Sequence, residues 1–124
     1  MNENNLLQGI DTIIVRVTNI EKSSSWYQEK LGLTPVWEDN NLNLVVLDTK
    51  SPTSLTLWET DQPITVNKKT TTYPIFKTIN AADARDQLLK NDVKVGELSC
   101  DESICSFLFF DLDGNILEAC QVIQ

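Results

Sequence analysis

Glu118 stands four residues beyond Gly114 in the segment FFDLDGNILEAC, residues 109 to 120, with Ile116, Leu117 and Ala119 as its apolar neighbours. A lone carboxylate on such a strand can accept hydrogen bonds from a ligand. It can also shuttle a proton as a general base, with a pKa raised by partial burial. The structural alternative is a buried ion pair with Arg16 or Lys77. Arg16 offers a guanidinium that binds a carboxylate or phosphate through two parallel hydrogen bonds. Otherwise it bridges to Glu118 or lies exposed at a strand end, and Lys77 shares both roles. Trp58 supplies an indole able to stack on a planar or cationic ligand, unless it is spent on the core. Trp37 starts a strand and can lie at a rim, whereas Trp26 and Tyr27 fall on a helix and pack.

Other chemistry is excluded by residue type. The 124 residues include no histidine and only 4 glycines, so a Ser-His-Asp set, a histidine zinc site and a glycine-rich phosphate loop are all missing. Cys120 has no histidine to activate it as a thiolate, and covalent catalysis is not expected. Cys100, Cys105 and Cys120 make an odd count without CxxC spacing, which reads as reduced thiols. Cys100 and Cys105 flank DESI; across a four-residue hairpin loop they would be near enough for a reversible disulfide, but two small buried hydrophobes are the expectation.

Ten Lys and Arg against 18 Asp and Glu give a net charge of -8. That charge repels nucleic-acid phosphates and anionic headgroups, so neither nucleic acid nor a membrane is an expected partner. The amino end, MNENNLLQG, has no basic segment leading into an apolar run, and no window reaches the about 20 apolar residues that cross a bilayer. A cytoplasmic protein of one domain is expected.

The elements that must hold these residues occur twice. GIDTIIVRVTN, residues 9 to 19, has the β-branched density of a strand and runs into IEKSSSWYQEKLG, a short helix. Thr18 with Glu21 has capping-box spacing, and Gly32 suits the stop. WEDNNLNLVVLD and SPTSLTLWE follow as strands. The order then repeats: TTYPIFKTIN as strand, AADARDQLLKND as a helix capped by Asn80, and VKVGELSC, ICSFLFFD and NILEACQVI as strands. A displacement of 61 lays Ile14 on Ile75, Arg16 on Lys77 and Asn19 on Asn80. The expected fold is α+β: two βαβββ modules, about 9–60 and 72–124, joined by a polar linker at about 61–71.

Curled mixed sheets, with helices on their outer faces, can line a shared cup. Strand alternation then sorts the side chains. Ile13, Val15 and Val17 go to core, leaving Thr12, Ile14 and Arg16 to the cup. Pro74, Phe76 and Thr78 turn inward, leaving Tyr73, Ile75 and Lys77. Leu55 and Leu57 are core, with Thr56 and Trp58 on the cup side, and the last strand contributes Ile116, Glu118 and Cys120. A slip of one residue in SLTLWE would put Glu59 in the cup in place of Trp58.

IDTIIVRV, NIEKSSSWYQEKLGL and FFDLDGNILEA resemble the vicinal oxygen chelate superfamily over residues 9 to 121. It includes glyoxalase I, extradiol dioxygenases, fosfomycin-modifying enzymes and bleomycin-binding resistance proteins. In its metal-dependent branches, the resemblance lays the first-strand histidine on Thr12, the fourth-strand glutamate on Thr56, the fifth-strand histidine on Tyr73 and the last-strand glutamate on Glu118. Only Glu118 matches. A bound metal would need Glu118, Cys120 and Tyr73 to substitute, and no metal or other cofactor is expected.

Two functions follow. The first is a metal-independent small-molecule binder resembling the bleomycin-binding branch, holding its ligand in a cleft of the kind often formed between two subunits of a homodimer, with drug sequestration as one use. Its site would comprise Thr12, Arg16, Thr56, Trp58, Tyr73, Lys77, Glu118 and Cys120. The alternative is a glyoxalase-like lyase or isomerase with a non-standard metal set or with Glu118 as catalytic base. An acidic chain draws cationic drugs, yet Arg16 and Lys77 in the cup suit an anion better.

Overall fold

A computed structural model describes residues 6–123, so residues 1 to 5, part of the stretch read for a leader, lie outside the described residues. The first half contains β1 (Thr12–Val17), α1 (Ile20–Leu31), β2 (Thr34–Asp39), β3 (Leu44–Asp48) and β4 (Ser54–Glu59). They form a sheet of order β1-β4-β3-β2, with β1 parallel to β4 and the other pairs antiparallel. The second half contains β5 (Ile75–Lys77), α2 (Ala81–Lys90), β6 (Lys94–Val95), β7 (Ser99–Cys100), β8 (Ile104–Phe110) and β9 (Ile116–Val122). Its sheet runs β5-β9-β8-β6, and β5 lies parallel to β9. The α+β fold with two mixed sheets therefore matches the expectation, and neither sheet closes into a barrel.

Three local readings need correction. The cap of α1 is Asn19, not Thr18: its side chain accepts from Lys22 N at 3.0 Å, while Thr18 is engaged by Asp113. VKVGELSC is not one strand. It splits into β6 and β7, both pairing with β8: Gly96 N still bonds Leu108 O at 2.7 Å in the β6 register, and β7 resumes one residue out of that register, with Ser99 opposite Ser106. Cys100 and Cys105 are a disulfide rather than two thiols. They sit directly opposite each other across the β7–β8 ladder, with Cα atoms 4.1 Å apart.

Each helix takes up its orphan N–H groups by the same device. Asn19 and Asn80 cap from within the chain entry, and a side chain from the last strand of the same sheet reaches the first helical N–H: Glu59 to Ile20 at 2.9 Å, Gln121 to Ala81 at 2.8 Å. Gly32 ends α1 in the left-handed conformation, as expected.

Val17, Tyr27, Leu47, Leu55, Leu57 and Leu117 are the most completely buried side chains, and one apolar cluster joins both halves. Trp26 and Tyr27 pack edge to face in it at 5.0 Å. The turn 111–115 clasps the two halves together. Tyr27 Oη donates to buried Asp111 at 2.6 Å, Thr18 donates to Asp113, and Asn115 Nδ2 donates to Arg16 O at 2.9 Å. Gly114 at φ +82° makes that turn possible.

Candidate functional site

Residues directly opposite across a ladder share a face, so register tells which side chains meet. On the first sheet Ile14, Thr56, Val46 and Trp37 form one row, and Arg16, Trp58 and Leu44 the next. On the second sheet the rows are Ile75, Glu118 and Leu108; Lys77, Cys120 and Ser106; and Ile116, Phe110 and Lys94. The parity expected for Arg16, Trp58, Lys77, Glu118 and Cys120 is the parity observed. Both faces are apolar and open in places: Ile14 is 51%, Trp37 56% and Ile75 57% exposed.

The register of β4 excludes the slip that would bring in Glu59. That side chain points away from the face, where its second oxygen accepts from Asn43. Trp58 keeps the face, half-buried, with its indole N–H donated to Leu42 O at 3.0 Å.

Arg16 lies over the Trp58 ring at 4.7 Å and donates to Trp58 O at 3.1 Å and Glu59 O at 3.0 Å. Of the two alternatives to ligand contact, an ion pair with Glu118 or exposure at the strand end, Arg16 shows the second, with a cation–π stack and two backbone acceptors at the end of β4. The guanidinium is exposed. Because it covers one indole face, a cationic ligand would meet the chain's own cation there.

Glu118 has Tyr73 for a neighbour. The carboxylate charge, with some desolvation and a hydrogen bond, raises the Tyr73 pKa above the usual phenol value and keeps the proton on the ring oxygen. Thr12 and Thr56 form the related pair on the first sheet, their hydroxyls 2.7 Å apart, and Thr12 also donates to Ser54 O. Thr56 is buried rather than open to a ligand.

Phe110 was missed by sequence reasoning. Lys68 and Lys94 hold their ammonium groups 5.8 and 5.6 Å from its ring centroid. The alternation of ICSFLFF carried the signal, since buried Phe107 and Phe109 leave Leu108 and Phe110 on the other side.

The two sets are not gathered around one cavity. Thr12, Thr56, Arg16 and Trp58 meet within the first sheet, and Tyr73 and Glu118 within the second.

The family model of the Glyoxalase/Bleomycin resistance protein/Dioxygenase superfamily matches residues 9–119. The chain belongs to that superfamily. Among solved structures similar to it is the integron cassette protein HFX_CASS4 from the mobile metagenome of Halifax Harbour Sewage Outfall. Identity is 22% and the TM-score 0.79, over 94% of this chain and 100% of that one. TnmS3, an antibiotic binding protein from Streptomyces sp. CB03234, is 17% identical with a TM-score of 0.75, over 95% and 98%. A glyoxalase/dioxygenase from Nostoc punctiforme is 18% identical with a TM-score of 0.78, over 100% and 97%. At these identities the likeness is one of fold. No curated protein sequence matches the chain.

The superfamily's metal-dependent branches raise the question of whether Thr12, Thr56, Tyr73 and Glu118 fit a divalent ion. They do not: two of the four donors are hydroxyls bonded to each other, the third is a phenol held protonated, and one carboxylate remains. Among the described residues no three His, Cys, Asp or Glu side chains cluster as a metal site would require.

Proposed function

We propose that the chain is a metal-independent small-molecule binding protein that sequesters a planar aromatic ligand bearing an acidic group. The exposed guanidinium stacked on Trp58, beside the row Ile14–Thr56–Val46–Trp37 that is open at Ile14 and Trp37, is the observation that carries this reading. Such a platform offers apolar area and stacking together with a charge-assisted donor. Lys68 and Lys94 flanking Phe110, with Lys77 two rows away, add cations to the second sheet, where Glu118 has Tyr73 beside it. An anion is therefore favoured over the cationic drug that the net charge of -8 alone suggests.

Thr12, Arg16, Thr56 and Trp58 would serve from one sheet, and Tyr73, Lys77, Glu118 and Cys120 from the other, with half-buried Thr12 and buried Thr56 as the floor. Two open apolar faces on a single chain support a homodimer in which one copy's first sheet meets its partner's second to close the cup. TnmS3 binds an antibiotic on the same fold, which supports sequestration of an antibiotic-like aromatic acid. The proposed location is cytoplasmic, where Cys100 and Cys105 would spend time as thiols. Among the described residues, no helix is long and apolar enough to cross a membrane.

A second reading rests on Tyr73 and Glu118: a carboxylate beside a protonated phenol is equipped to move a proton next to a carbonyl, as a lyase or isomerase would. The test is tryptophan-fluorescence titration with 2-naphthoate, its neutral methyl ester and a cationic naphthylmethylamine. Binding predicts quenching by naphthoate that Trp58→Phe abolishes and Arg16→Ala weakens. Preference for the amine, or quenching untouched by both substitutions, would reject it.

A further inference from the structure

A cavity of about 290 Å³ opens on the helix side of the second sheet, between the carboxyl ends of α1 and α2. It lies on the other side of the sheet from the faces described above: Phe76, Phe109 and Ala119 line it with the opposite parity to Glu118 and Cys120, and Lys77, on edge strand β5, borders both sides. The size lies at the small end of the range of about 300–1,000 Å³ for ligand sites.

Its chemistry departs from that of the chain. Leu31, Phe76, Leu88 and Phe109 form an apolar lining, and Lys30, Lys50 and Lys77 stand around it. No aspartate or glutamate is in the lining, although acids outnumber bases 18 to 10 in the sequence. Three of the ten basic residues thus surround one small apolar hollow.

Helix carboxyl ends carry partial negative charge, and two of them meet here. That alone would explain lysines as dipole partners. Yet several carbonyls at these ends are already served: Gln28 O by Gly32 N, Gln87 O and Leu88 O by Asn91 N, and Asn91 O by Lys30 Nζ at 2.8 Å. Lys30 is consumed by this role. Lys50 follows β3 in an exposed turn, where only its backbone N–H is bonded, to Asp48, and Lys77 lies on edge strand β5. Neither ammonium is needed to finish a helix.

We propose that this cavity is a second binding site, for a small carboxylic acid with a compact aliphatic body such as a medium-chain fatty acid. The hydrocarbon would lie on Phe76, Leu88 and Phe109 with its carboxylate toward Lys50. Burying apolar ligand surface supplies the driving force, and the charge-assisted contacts fix orientation and reject neutral analogues.

Calorimetric titration with octanoate and with octan-1-ol tests this directly. Octanoate should bind saturably, and Lys50→Glu, a surface change, should weaken it by about tenfold or more, as loss and reversal of a charged partner imply. Octan-1-ol should bind more weakly by a similar factor. Ala84→Phe, which fills the cavity from α2, should abolish octanoate binding; far-ultraviolet circular dichroism checks that it folds. Neither change should alter naphthoate quenching of Trp58, so this site and the sheet faces succeed or fail separately. Equal affinities in wild type and Lys50→Glu, equal binding of acid and alcohol, or no saturation would overturn the proposal. So would loss of the dimer in Ala84→Phe or on adding octanoate, since the cavity would then belong to a subunit interface.

Discussion

Thr12 and Thr56 hold their hydroxyl oxygens 2.7 Å apart across the parallel β1–β4 ladder, and Tyr73, two residues before β5, and Glu118 on β9 occupy the corresponding positions. Thr12 precedes Ile14, which faces Thr56; Tyr73 precedes Ile75, which faces Glu118. Of the four positions at which metal-dependent relatives would carry ligands, two thus hold hydroxyls bonded to each other, and a third holds a phenol kept protonated beside the carboxylate of the fourth. Two hydroxyls bonded to one another have little left for an ion.

The second pair predicts an optical titration. Tyr27 and Tyr73 are the chain's only tyrosines. Both pKa values are raised: Tyr73 first by the charge of Glu118, Tyr27 first by burial and then by Asp111. Phenolate absorbance should therefore appear only above the ordinary value of about 10. Glu118→Gln should move one of the two transitions down toward it, and an unmoved titration would show that Glu118 does not act on Tyr73.

Tyr27 also predicts a loss of stability in alkali. A phenol whose folded pKa exceeds its unfolded value of about 10 contributes fully below that pH and progressively less as pH rises above it. The urea midpoint should fall above pH 10 in wild type, and this fall should be smaller in Tyr27→Phe. At neutral pH the same variant should lose about 1–3 kcal/mol, the cost of unmaking a buried hydrogen bond to Asp111.

Asp111→Ala should cost more than Tyr27→Phe. Its carboxylate accepts from Tyr27, from Asn115 Nδ2 and from the backbone of Asp113 and Asn115, so several donors lose their partner at once. A loss above about 3 kcal/mol in chemical denaturation is expected from that number of unsatisfied groups. A loss no greater than that of Tyr27→Phe would show that the 111–115 turn does not clasp the two halves.

Much of this architecture is legible in the sequence, and what is not has a common cause. The β-branched run at Ile13–Val17, the Asn80 cap and the Gly32 stop are local signals, and local structure obeyed them. Strand parity placed Trp58 and Glu118 on the expected faces because apolar partners on the other side, Leu57 and Leu117, are fully buried. The clasp could not be read in this way. Thr18 and Asp113 are 95 residues apart, and Tyr27 and Asp111 are 84 apart, so no spacing rule connects them. Glu59 and Gln121 capping distant helices, and Arg16 choosing Trp58 over Glu118, are likewise choices made by tertiary contacts among several chemically acceptable partners.

Cys100 and Cys105 give a further prediction. Asp101 N donates to Ile104 O, and the Asp101 carboxylate, held below its usual pKa by the Ile104 and Ser103 N–H groups, shapes the hairpin between them. A bridge closing so short a loop is worth about 2 kcal/mol on the chain-entropy account. Under non-reducing conditions one thiol, Cys120, should react with a thiol reagent, and reduction should lower the thermal midpoint. Three reactive thiols without reductant would show the hairpin stands unbridged.

The proposal of a metal-independent platform at Arg16 and Trp58 is tested most directly by measuring 2-naphthoate affinity before and after exhaustive chelator treatment, with elemental analysis of the same samples. The same dissociation constant in both, without stoichiometric metal in either, is the predicted result. A tightly held divalent ion whose removal abolishes binding, and whose return restores it, would contradict the account.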